Sequence, residues 1–72
     1  MIRDKTAEKL ALLVGDARFH YAKYTCLSTT DTKNATYVAI RKCYHLVPES
    51  KMIRKFPEIY NSLDAMLRRV EL

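Results

Sequence analysis

Seventy-two residues leave room for one domain around one core, residues 1–72 forming a single unit. A chain of this length buries only about 60% of its unfolded surface, so packing alone leaves it marginally stable. One Gly and two Pro suit a few long helices better than many short strands, and the longest apolar run, the five residues Leu10–Val14, excludes a membrane-spanning helix.

The N-terminal stretch, interrupted by Asp4 and Glu8, does not read as a secretory signal. Two cysteines without such a signal fit reduced thiols, so a cytoplasmic location is the expectation.

From Thr6 to about Leu27, Leu10, Leu13, Val14, Ala17, Tyr21 and Tyr24 recur at helical spacing. Thr6 is a suitable N-cap and Glu8 suits the first turn. Gly15 costs about 1 kcal/mol against Ala inside a helix, yet the stripe stays in phase across it. The polar segment Ser28–Asn34 reads as the loop, with Asp31 or Asn34 capping the next helix.

That second helix carries Ala39, Ile40, Cys43, Leu46 and Val47 on one face, with Thr36 one turn earlier. Pro48 breaks it, and Glu49-Ser50 opens a short helical turn through Met52, Ile53 and Phe56. Pro57 fits the first position of a last helix, in which Ile59, Tyr60, Leu63, Met66, Leu67 and Val70 form one stripe. The expected fold is all-α, a small bundle of three main helices with a short extra helical turn. The rival reading pairs Arg18–Ser28 with Tyr37–Val47 as a β-hairpin, but strand alternation puts Lys42 on the same face as Val38, Ile40, Tyr44 and Leu46.

At about 100° per residue, Leu12, Phe19 and Cys26 align on the side of the first helix opposite its main stripe. Ala11, Gly15 and Ala22 border them and would let another helix approach closely. A surface helix does not need apolar groups on both sides. Either the first helix is central and covered twice, or these are isolated exposed side chains, or Leu12, Gly15, Phe19 and Cys26 form a protein interface. The last reading makes the chain a non-enzymatic regulatory or adaptor protein that binds a protein partner through a helix and associates with itself as a homo-oligomer.

The positive charge is concentrated. Residues 33–55 hold six basic residues and only Glu49 as an acid, against a net charge of +5 for the whole chain. Arg41, Lys42, His45, Lys51, Arg54 and Lys55 therefore make nucleic-acid binding the alternative function, through an imperfect helix-turn-helix about Pro48; a solvated charged face is the bland reading. The basic and aromatic residues Arg18 to Tyr24 interleave as on single-strand binding surfaces, but Tyr21 and Tyr24 already belong to the core stripe.

Catalytic patterns are scarce. Gly15 as the only glycine leaves no phosphate-cradling loop. Cys43 and His45 with distant His20 and Cys26 match no zinc spacing, and both cysteines read as small buried hydrophobes. Arg41 and His45 are similar to the Arg/His pair of the HEPN family of helical ribonucleases, but lie closer together than that family's pattern. No enzyme activity, cofactor, metal or membrane insertion is expected.

Overall fold

The computed structural model describes residues 5–71, so Asp4 lies outside the described residues. Helix makes up 91% of what is described, and the β-hairpin alternative is thereby removed. The helices are α1 (Lys5–Cys26), α2 (Thr30–Leu46), α3 (Glu49–Lys55) and α4 (Pro57–Glu71). The bundle of three main helices with a short additional one is the observed fold. Among the described residues no helix is long and apolar enough to cross a membrane.

α1 runs unbroken through Gly15. Thr6, expected as a cap, lies inside the helix, which already includes Lys5. The Ser28 hydroxyl donates to the Tyr24 carbonyl at 2.9 Å, satisfying an acceptor that the helix end leaves open, and the Thr25 hydroxyl bonds back to the Ala22 carbonyl at 2.8 Å within the last turns.

The loop is shorter than expected and its cap lies upstream. Thr29 is the N-cap of α2: its hydroxyl accepts from the Thr32 amide at 3.2 Å, while the Thr29 amide donates to the Thr32 hydroxyl at 3.0 Å. This reciprocal box satisfies two end donors at once, so Asp31 and Asn34 fall inside the helix rather than capping it. The Thr32 hydroxyl donates in turn to the Leu27 carbonyl at 2.7 Å, tying the end of α1 to the start of α2.

α2 stops for a local reason. Val47, preceding Pro48, takes an extended conformation with φ −128° and ψ 110°, because the proline ring disfavours helical backbone there. The Val47 amide still closes on the Cys43 carbonyl at 3.0 Å. Phe56, before Pro57, likewise leaves helical geometry at ψ 59° and divides α3 from α4. Pro57 occupies the first position of α4, as expected.

The core joins Leu10, Val14 and Ala17 of α1 to Ala39, Ile40 and Cys43 of α2, then to Val47, Met52, Leu63 and Met66. Each large aliphatic side chain taken fully from water contributes roughly 1.5–3 kcal/mol. Thr36 is fully buried, with its hydroxyl donating to the Thr32 carbonyl at 2.8 Å. Leu13, Tyr21, Ile59, Tyr60 and Leu67 pack half-buried around this centre, whereas Ile53 points outward and is 47% exposed. The molecule is elongated, 45 × 19 × 16 Å, with a radius of gyration of 12.5 Å. A compact chain of this length would have about 11 Å.

Candidate interaction surfaces

α1 packs its Leu10/Val14/Ala17 side on the rest of the bundle and leaves the other side open. Leu12 is 76% and Phe19 57% exposed, and Ala11, Gly15, Ala22 and Cys26 are exposed with them. The reading of α1 as a central helix covered on both sides is corrected. α2 and α4 both pack against its core side, and no further long helix remains among the described residues to cover the other. Cys26 as a buried hydrophobe is also corrected: it ends α1 on the uncovered side and is exposed.

Phe19 is the open aromatic of this face. The Lys23 ammonium stands 4.9 Å from its ring centroid, and His20 meets it edge-on at 5.5 Å between centroids. His20 Nε2 lies 3.6 Å from Asp16 Oδ1, on the flank of the same helix. Tyr21 and Tyr24 are half-buried, so the interleaved basic and aromatic run does not form a row of open rings. Arg18, on the other flank, donates toward the Ser62 hydroxyl of α4 at 3.5 Å.

Among the described residues, nothing packs against the position that a side chain at Gly15 would take. A Cβ built on it meets no atom within 4 Å, and no glycine among the described residues has positive φ. Neither turn geometry nor an intramolecular close approach requires a glycine there.

The second surface is a solvent-open groove of about 1020 Å³ lined by α1, α2, the first residue of α3, and α4. Tyr37, Arg41, Tyr44, Glu49, Asp64 and Leu67 are among its walls. Arg41 lies over Tyr37, its guanidinium carbon 5.6 Å from the ring centroid, and Nη1 donates to the phenol oxygen at 3.3 Å. Burial, reinforced by Tyr60, Glu49 and Asp64, pushes the Tyr44 phenol up to about 12. Tyr60 moves the same way, through desolvation and then the carboxylates of Asp64 and Glu49, and its hydroxyl donates to Glu49 Oε1 at 3.4 Å. The i, i+4, i+7 spacing of Tyr37, Arg41 and Tyr44 was a sequence signal for this wall that the core-stripe reading passed over.

Of the basic residues, Arg41, Lys42 and His45 line the groove from α2, while Lys51, Arg54 and Lys55 stand exposed on α3. None forms an ion pair with another described residue. α3 has seven residues, about two turns, and α4 begins two residues after it, so a recognition helix of useful length is missing.

The remaining chemistry is sparse. Burial, and then Asp16, push the Cys43 thiol up, which keeps it protonated and a poor nucleophile. Cys43 is buried whereas His45 is exposed, so they do not act as a pair. Among the described residues no three His, Cys, Asp or Glu side chains converge on a possible metal position. Comparison of the chain with protein-family models, curated proteins and solved structures finds no match.

Proposed function

We propose that this chain is a small non-enzymatic regulatory or adaptor protein that binds another protein through the outer face of α1 and also associates with itself. The observation that carries the reading is the exposure of Leu12 and Phe19, 76% and 57%, on a helix whose other side is already committed to the core. Two large apolar side chains two turns apart, flanked by Ala11, Gly15 and Ala22, form a ridge onto which another helix can pack closely.

The test is the double substitution Leu12→Lys with Phe19→Lys, followed by light scattering and circular dichroism. In the free chain both ammonium groups reach water; in a complex each is desolvated without a counter-charge. The lost apolar contact adds roughly 1.5–3 kcal/mol per side chain. The expected outcome is loss of the complex with helicity retained. A folded double variant with unchanged mass and unchanged partner binding would exclude this face.

A second reading rests on the exposed basic residues of α2 and α3, which lack ion-pair partners among the described residues. If they neutralise phosphates, oligonucleotide affinity falls steeply with salt, and charge reversal at Arg41, Lys42, Arg54 and Lys55 weakens it far more than reversal at Lys5 and Lys9. No detectable binding at low salt would remove this reading.

A further inference from the structure

The geometry points to a second copy of this chain as the occupant of the outer face of α1, paired antiparallel about a two-fold axis, with each Phe19 on Gly15 of the other copy and each Leu12 on Ala22 of the other copy. This rests on the proposed role of that face and adds the partner and the register.

The first observation is Gly15 itself. It sits inside a 22-residue helix, where glycine is the least favourable ordinary residue after proline, and nothing among the described residues requires it. A glycine on an exposed helix face does have one physical use: it lets a bulky group from outside come down onto the backbone. Its two apolar neighbours on the face, Leu12 and Phe19, are large and uncovered.

The second observation is that the large and small residues of this face match one another in a single register. In an antiparallel helix pair, facing positions have a constant total. Positions 19 and 15 share the same total as positions 12 and 22, so one alignment seats both large residues on small ones. Two-fold symmetry then repeats both contacts with the copies exchanged. Leu12, Phe19 and Cys26 act as one seam position of the heptad, Gly15 and Ala22 as the other, and antiparallel packing sets the first against the second. The parallel alternative stacks Phe19 on Phe19 and Gly15 on Gly15, crowding one layer and leaving a void in the next.

Size sets the strength. α1 is about 33 Å long, and one helix against one helix covers less than the roughly 800 Å² per partner of a standard stable interface. The pairing is therefore expected in the micromolar range or weaker, and the experiment spans concentration.

Sedimentation equilibrium of the whole chain, from micromolar to millimolar, measures the dimer constant, and thermal unfolding of dilute samples reports on the single chain. Gly15→Leu separates the proposed register from general stickiness. It replaces a poor helix former by a good one and adds exposed apolar surface, so the dilute chain melts higher and a merely sticky face would associate more tightly. The register predicts the opposite for association, because the added side chain occupies the space beneath Phe19 of the other copy; overpacking of this kind weakens the dimer by about tenfold or more.

Crosslinking fixes the direction. In the proposed register the two Cys26 thiols lie about 27 Å apart along the axis, so wild-type chain gives no Cys26–Cys26 disulfide on mild oxidation. Glu8→Cys puts a thiol opposite Cys26 of the other copy and gives a covalent dimer. A wild-type chain that stays monomeric at millimolar concentration overturns the pairing, while protein binding by this face stands or falls on its own test. A dimer that Leu12→Lys with Phe19→Lys dissolves but Gly15→Leu leaves intact or tightens overturns the register alone. A dimer indifferent to all of these substitutions overturns both.

Discussion

α1 and α4 are both amphipathic helices of this bundle, but they use their apolar residues differently. In α4 the large apolar side chains make one stripe: Leu63, Met66 and Val70 are buried, Ile59, Tyr60 and Leu67 half-buried, and the outward positions include Asn61, Arg68 and Arg69. α1 buries Leu10, Val14 and Ala17 in the same core and holds Leu12 and Phe19 out to solvent on its other side. A helix with one stripe is explained by the fold that contains it. One with two stripes needs a second reason, and the association proposed above supplies one.

The sharpest test of that contrast sets one leucine of each helix side by side. Leu63→Ala empties a fully buried position and is expected to cost about 2–5 kcal/mol, enough to unfold much of so small a protein. Leu12→Ala, at 76% exposure, should shift the unfolding free energy of the dilute chain by no more than about 0.5 kcal/mol. Urea titration of both variants measures the two values. A large loss at Leu12 would mean that its face is part of the fold after all, and the contrast would collapse.

A smaller effect comes from the groove, where α4 meets α2. The Tyr44 phenol, held up at about 12 against an ordinary 10, is stabilised by the fold in its protonated form. Its contribution is therefore complete below about pH 10 and is lost as the pH climbs from there through 12. Cys43, whose thiol is also raised, adds to the fall from about pH 9.0 upward. Denaturation midpoints measured from pH 9 to 12 should decline, and Tyr44→Phe should flatten the upper part of the curve. An unchanged slope in that variant would show that the phenol does not hold α2 and α4 together.

Most of the fold was legible because its signals are local. The stripes of α1, α2 and α4 read at helical spacing, and Pro48 and Pro57 acted within a residue of where they stand. The turn between α1 and α2 was less legible. Thr29, Thr30, Asp31, Thr32 and Asn34 are all competent caps. The choice fell to Thr29 because Thr32 can return the bond to the Thr29 amide and also reach the Leu27 carbonyl. That second contact needs the end of α1 to be in place already.

The interaction surfaces divide in the same way. Periodicity alone put Leu12, Phe19 and Cys26 together, since a helix places every seventh residue nearly in line. It also placed Arg41, Lys42 and His45 outside the core stripe. Whether the first of these faces was covered depended on how many helices pack around α1 and from which side, a property of no single helix. The tertiary structure decided it: α2 and α4 share the Leu10/Val14/Ala17 side, so the other side remains in water. The same packing assembled the groove, bringing Tyr44 and Glu49 against Tyr60 and Asp64 from across the chain, and there burial rather than spacing sets the chemistry of the phenols.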